Sequence, residues 1–200
     1  MRRANGQTRH DEVVQIAGAL FAEHGFLATT TRDIATAANI LSGSLYHHFT
    51  SKEQIADELL TAYWTELLSE YHAVVAARLE PPESARGLIA ASIRMLEHHE
   101  FAVRMVLNDW SYLSTLLPYL GDNLGQIRKI WIAVLRQGVK DGQFRTQVEP
   151  DVAYRVIMGS ISGAGRWFRP GGRMTAAQLA EQMSDLFLSG VQNGHVRALV

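Results

Sequence analysis

The sequence predicts an all-α protein of about nine helices, and three observations carry that prediction. Apolar residues recur at three- and four-residue steps in segment after segment, the period of a helix with one buried face. No stretch of useful length alternates as a strand does. Gly and Pro clusters fall between the periodic segments rather than within hairpins. With 47% apolar and 20% charged residues among 200, the chain has the composition of a globular protein and the length for one or two small domains with a core.

The first helix is expected over residues 8–24. Val13, Ile16, Ala17, Leu20 and Phe21 share one face, and Gly25 provides the C-terminal cap. Thr30 then opens a short helix as N-cap, with Asp33 as the acidic member of a capping box. Ile34, Ala35 and Ala38 give this helix a small apolar face. Asn39 tolerates the left-handed conformation that a sharp turn demands, and Ile40 plugs the corner. Ser42 is the next N-cap, opening a helix over Gly43–Phe49. Leu45 and Phe49, four apart, form its inner face, which leaves Gly43, Ser44, Tyr46, His47 and His48 on the others.

The fourth helix is long. From Lys52 to about Leu79 there is no Pro or Gly, and Ile55, Leu59, Tyr63, Leu67, Tyr71 and Val75 recur every four residues. As a helix it spans roughly 42 Å, more than a helix-turn-helix needs, so it is expected to run on into a second domain. Glu80-Pro81-Pro82 stops it. Five further helices are expected over 83–99, 101–113, 122–140, 151–167 and 175–192. This places one domain at 1–52, a second at 53–200, and helix 52–79 as the link.

Two short helices joined by a tight turn, the second polar on its open faces, form the pattern of a helix-turn-helix. Such a motif inserts its second helix in the major groove of double-stranded DNA. The candidate contacts are Thr30, Thr31, Arg32, Ser42, Gly43, Ser44, Tyr46, His47 and Lys52. The Gly-Ser start permits close backbone approach, Tyr46 and Lys52 suit phosphate oxygens, and His47 suits a phosphate or a base edge. The competing reading is a plain corner in a helical protein. Net charge is -1, and through Lys52 five basic residues (Arg2, Arg3, Arg9, Arg32, Lys52) face four acids (Asp11, Glu12, Glu23, Asp33). A modest salt dependence is therefore expected. Arg2 and Arg3 are read either as an arm toward the DNA or as an idle tail.

The run from Ala17 to Lys52 resembles the DNA-binding domain of the TetR family of bacterial repressors. The matching pieces are Ala19-Leu20-Phe21, Gly25, Thr30, Asp33-Ile34-Ala35, Ala38, Leu45-Tyr46-His47-His48-Phe49 and Ser51-Lys52-Glu53. One departure is Asn39, where the family commonly has Gly. The resemblance implies a repressor that binds a palindromic operator as a homodimer and is released by a small molecule. It also implies a four-helix dimer bundle built from the last two long helices of each subunit.

The residues of those two helices point the same way. Between Gly159 and Gly165 nearly every residue is small, and each interior Gly costs about 1 kcal/mol relative to Ala, a cost that implies close approach of another backbone. Gly159 and Gly163, with Leu179, Met183 and Leu186, are the candidate dimer contacts; a neighbouring helix of the same chain and a ligand are the alternatives. For the effector, the candidates are Met95, His99, Trp110, Arg128, Trp131, Met158, Ser162 and Arg166, adaptable apolar walls with a few cations. Arg166-Trp167-Phe168-Arg169 sets cations among aromatics, which suits a small hydrophobic or anionic effector such as an acyl-CoA; interface salt bridges and capping are the competing use. The segments 40–49 and 166–172 are similar to the actinobacterial repressors of steroid breakdown, one branch of which answers to CoA thioesters of steroid-ring fragments. In that resemblance Arg166 fits a basic ligand-binding position, while Met158 and Ser162 stand where a basic and an aromatic residue are expected.

Other function classes lack their signatures. There is no cysteine, hence no disulfide framework, zinc finger or thiol nucleophile. No nucleophile elbow, phosphate loop or zinc-binding helix motif occurs. The adjacent pairs His47-His48 and His98-His99 point to different faces and cannot form an i, i+4 metal pair. Neither catalytic residues nor a cofactor or metal are expected. The N-terminus lacks a signal-peptide core and no apolar run approaches ~20 residues, so a cytoplasmic location without a membrane partner is expected. The remaining alternative is a helical small-molecule carrier with no DNA-binding role.

Overall fold

The computed structural model describes the backbone of residues 2–192, with side chains from Arg9 onward; Arg2 and Arg3, read above as a DNA-directed arm, lie outside the described side chains. Among the described residues the chain forms nine helices: α1 (Arg2–His24), α2 (Thr31–Ala37), α3 (Ser42–Leu45), α4 (Lys52–Ala76), α5 (Pro81–His98), α6 (Glu100–Leu116), α7 (Tyr119–Lys140), α8 (Pro150–Trp167) and α9 (Ala176–Val191). The all-α class is as the periodicity predicts.

Local chemistry accounts for most boundaries. Gly25 at φ 87° ends α1, where a side chain would be strained. Thr30 and Asp33 form a reciprocal capping box at α2, and Thr175 with Gln178 forms another at α9. Asn39 adopts φ 52° at the turn after α2. Pro81 begins α5, a position where the missing N–H costs nothing. Several boundaries differ from expectation: α1 begins at Arg2 rather than at residue 8, α4 ends at Ala76 rather than near Leu79, and α6 runs on to Leu116. Leu41, not Ser42, is the N-cap of α3, without a side-chain cap, and regular helix ends at Leu45; residues 46–48 continue as hydrogen-bonded turns onto Ser44 and Leu45 carbonyls. Helix α7 begins at Tyr119, three residues before the expected start at 122, and so takes in Gly121.

The contacts divide the chain into two compact units. The first holds the residues up to Thr65 together with His99–Leu120, and the second holds Glu66–His98 and the chain from Gly121 onward. This differs from a division at residue 52. Helix α6 packs on α1 within the first unit, and Gly18 allows it: a Cβ there would lie 3.1 Å from Leu59 and 3.2 Å from Phe101. Helix α4 contributes to both units.

In the first unit Val13, Ala17 and Phe21 of α1 close over Phe26, Ile34, Leu45, Phe49, Ile55 and Leu60, all buried. In the second, α5 packs mainly on α9. A buried polar chain crosses that core: the Trp131 indole donates to Tyr71 Oη (2.9 Å), the Tyr71 hydroxyl donates to Ser92 Oγ (2.7 Å), and the Ser92 hydroxyl donates to the Leu88 carbonyl. Every member is satisfied, as burial requires, and burial pushes the Tyr71 phenol up to about 12. Phe144 N–H closes onto the Gly138 carbonyl, and Arg145 N–H onto that of Val191 at 2.7 Å, which ties the α7–α8 connection to the end of α9.

Candidate nucleic-acid interface

The recognition segment is held from behind on three sides. Leu45 and Phe49 point into the core. The His10 ring of α1 lies 4.4 Å from that of Phe49, and its Nε2 is 3.3 Å from Glu58 Oε2 of α4. Arg9 reaches across from α1 to the carbonyl of Ala38 at 2.6 Å, capping the end of α2, while its other nitrogen meets Glu12. The sequence shows Arg9 only as one of three early arginines; its use as a brace for the turn depends on the packing of α1 against α2.

What this scaffold presents outward is polar. Thr30, Arg32, Ser42, Gly43, Tyr46 and His47 are exposed, with Thr31 and Ser44 partly so. Thr31 Oγ1 lies 3.3 Å from Tyr46 Oη, which joins the start of α2 to the recognition segment and fixes the direction of the phenol. Nothing stands within 4 Å of a Cβ built on Gly43, so its backbone is open to an approaching surface. Asp33 is held below the usual carboxylate range by the Thr30 hydroxyl and then the Thr30 N–H, so the capping box stays ionised and intact near neutral pH. One residue was missed by the sequence reading: Leu41 is 80% exposed at the head of α3. Its signal was an apolar residue directly before a polar Ser-Gly-Ser start.

Lys52 is a correction. Expected at a phosphate, its ammonium instead donates to the carbonyls of Phe26 (2.8 Å), Thr29 (2.8 Å) and Leu27 (3.3 Å) and sits 4.5 Å from the Phe26 ring centroid. An ammonium has three donors, and all three are engaged in closing the α1–α2 loop.

The expected effector residues are divided between the two units. His99 and Trp110 belong to the first unit and the other six to the second. Met95 and Trp131 are buried core, with the indole N–H of Trp131 already donated to Tyr71; apolar periodicity cannot separate a cavity wall from a filled core. Arg128 pairs with Asp151, which also binds Arg155, and the two guanidiniums hold the Asp151 carboxyl below its ordinary range. Arg166 is exposed, and Met158 and Ser162 are half-buried. Arg169 is turned onto the carbonyls of Phe168 and Arg166.

On the α8–α9 face, Gly159 and Gly163 have nothing within 4 Å of a built Cβ, so no helix of the same chain accounts for them. Val152, Val156 and Trp167 lie exposed on the same helix, and Leu186, 78% exposed, lies on α9. Met183 is half-buried, but Leu179 is buried in the core of the same chain, which removes it from the open face where the dimer contacts were expected.

A polar, exposed second helix braced on an apolar three-helix unit defines a helix-turn-helix DNA-binding protein. The chain belongs to the TetR family: residues 14–59 match the family described as bacterial regulatory proteins, tetR family, and residues 78–191 match the tetracyclin repressor-like C-terminal domain. It is a TetR-type transcriptional repressor close to the steroid-catabolism repressor group. The chain is 41% identical over 195 residues to the HTH-type transcriptional repressor KstR2 of Mycobacterium tuberculosis, covering 96% of this chain and 98% of that one. It is 38% identical over 189 residues to KstR2 of Rhodococcus jostii, covering 94% and 93%. The structure of the ketosteroid transcriptional regulator KstR2 of M. tuberculosis superposes with a TM-score of 0.90 at 40% identity, covering 93% of this chain and 96% of that one. Among the described residues no helix is long and apolar enough to cross a membrane.

Proposed function

We propose that this repressor binds a palindromic operator as a homodimer in the cytoplasm, reading it with Ser42, Gly43, Ser44 and His47 while Thr30, Thr31, Arg32 and Tyr46 hold the phosphates. The observation that carries this reading is the polarity of the exposed recognition surface over a fully buried backing. Leu41 stands beside that surface as an apolar side chain suited to a thymine methyl group. Two-fold symmetry matches half-sites about one helical turn apart. The dimer face is the open stripe of α8 with Met183 and Leu186 of α9, where Gly159 and Gly163, with open space at their Cβ positions, admit a second backbone.

The effector is a hydrophobic anion, and a CoA thioester of a steroid-derived acid is the first class to test. The ketosteroid designation of the relative and the exposed Arg166 beside Trp167 support it. Its differential affinity for two conformations of the dimer sets how far it lowers DNA affinity, and α4, shared by both units, is the element through which such a change passes.

The test is operator selection from genomic fragments, followed by titration of the recovered sites with steroid-derived acyl-CoA thioesters and with free CoA. An inverted repeat, bound as a dimer and released by one thioester but not by CoA, is the expected result. Recovery of no DNA would turn the reading toward a small-molecule carrier.

A further inference from the structure

The second unit holds a groove of about 550 Å³ between the end of α4, the start of α5 and one face of α7, a volume within the ordinary range for small-molecule sites. None of the eight expected effector residues lines it. Its walls are apolar: Val75 and Leu79 from the end of α4 and Ile130, Ala133 and Val134 from α7. Val75 and Leu79 remain 48% and 50% exposed, so no part of the same unit fills the space they border.

The rim carries two acids and two cations. Asp141 accepts two bonds from the Gln137 amide (2.8 Å each), and Glu80 accepts one from that of Gln143 (2.6 Å). Lys129 and Arg78, also at the rim, are exposed and make no ion pair among the described residues. Lys129 lies roughly 18 Å along α7 from Asp141, so one end of the groove carries a cation well separated from that acid. Arg78 holds φ 50° in the residues that follow α4, a conformation that costs a non-glycine residue of order 1 kcal/mol. Arg78 stands two residues from Glu80, at the end of the groove where Glu80 meets Gln143, whereas Lys129 lies at the other end; that lone cation beside apolar walls is the complement of an amphiphilic anion.

We infer that this groove binds a medium-chain aliphatic carboxylate, the alkyl chain along Val75, Leu79, Ile130 and Val134 and the carboxylate at Lys129. The site is separate from the Arg166–Trp167 end of α8, and its occupancy is read without DNA, so its failure leaves the operator and effector readings untouched. An occupant of the groove contacts the last turns of α4, the helix whose first half belongs to the DNA-binding unit.

The probe is sodium decanoate, titrated calorimetrically into the full chain, with decanol and decyltrimethylammonium as neutral and cationic counterparts. One decanoate per chain is expected, with the alcohol about tenfold weaker and the cation weaker still. Lys129→Glu is expected to weaken decanoate at least about tenfold, and Ala133→Trp, an exposed position whose indole fills the groove, to abolish binding while circular dichroism stays unchanged. No heat up to about 1 mM decanoate, equal affinity for the three probes, or wild-type affinity in Lys129→Glu would each overturn the assignment. So would a loss of oligomer mass in Ala133→Trp by sedimentation, which would assign the groove to a second copy of the chain.

Discussion

The carboxylate of Asp109, in the middle of α6, accepts a hydrogen bond from the backbone N–H of Phe26 at 3.2 Å, just after the end of α1. The two residues are 83 apart in sequence. Asp109 departs from helical geometry, with φ -118° and ψ 17°, and Tyr112, one turn on, lies 5.6 Å from Phe26 ring to ring. A kinked helix from the middle of the chain thus supplies the acceptor for the loop that leads into the DNA-reading motif. Asp109→Ala leaves the partly buried Phe26 N–H without its partner, at an expected cost of about 1–3 kcal/mol. Asp109→Asn, whose amide oxygen still accepts, is expected to recover most of it. Urea denaturation followed by tryptophan fluorescence checks both; equal stability of Asp109→Ala and wild type would show the contact to be idle.

Lys52 separates a structural cation from a DNA-binding one. With its ammonium on three carbonyls, Lys52→Met is expected to lower stability by about 1–3 kcal/mol and to leave the salt dependence of operator binding unchanged. Arg32→Ala is expected to do the reverse, with stability kept and the slope of log K against log salt reduced by about 1. A reduced slope in Lys52→Met would return that residue to the phosphate backbone.

Gly138 is required by Phe144. A Cβ at position 138 would lie 2.2 Å from Phe144 Cδ2 and 2.4 Å from Cε2, and the ring is buried. Gly138→Ala is expected to cost about 1–3 kcal/mol through overpacking, although Ala is the better helix former. Pairing it with Phe144→Leu should restore part of the loss, and a double-mutant cycle by thermal unfolding measures the coupling.

The capping box at α2 gives a pH signature. Asp33 is depressed in the folded protein by the Thr30 hydroxyl and N–H, so its contribution is complete above the unfolded carboxylate value of about 3.9 and is lost as pH falls through the lower folded value. The stability gap between wild type and Asp33→Ala should hold steady from about pH 7 to pH 5 and narrow below about pH 4. A gap that widens on acidification would reverse the sign and remove the carboxylate from the cap.

The oligomer face is tested at the surface. Leu186→Asp and Val156→Glu add charge to exposed apolar positions, so helical content is expected to stay constant while sedimentation shows a monomer. DNA affinity should fall with the dimer, since two half-sites are no longer held together.

Much of the recognition unit was legible in the sequence because its determinants are local. Thr30 with Asp33, Asn39 at the turn and the Leu45–Phe49 pair each act within a few residues, and each appears in the structure as read. The start of α3 was read one residue late because Ser42 is a good capping residue, while the chain instead enters through an extended Leu41. Lys52 was misassigned because a Lys at a helix start looks the same whether its ammonium meets water, a phosphate or three carbonyls brought from residues 26–29. Met95 and Trp131 were misassigned because a filled core and a cavity wall share one apolar pattern.

The sequence by itself determined the helical class, the number and order of the helices, the helix-turn-helix and its capping, since periodicity and caps are set by residues within one or two turns. Tertiary structure alone decided that α6 joins the DNA-binding unit, that Arg9 and Asp109 brace the motif from a distance, that Gly159 and Gly163 lie open, and that an apolar groove with a lone cation at one end forms beside α4. Those outcomes depend on which helix faces meet across separations of tens of residues. Packing and long-range hydrogen bonds select those meetings, and no local pattern encodes them.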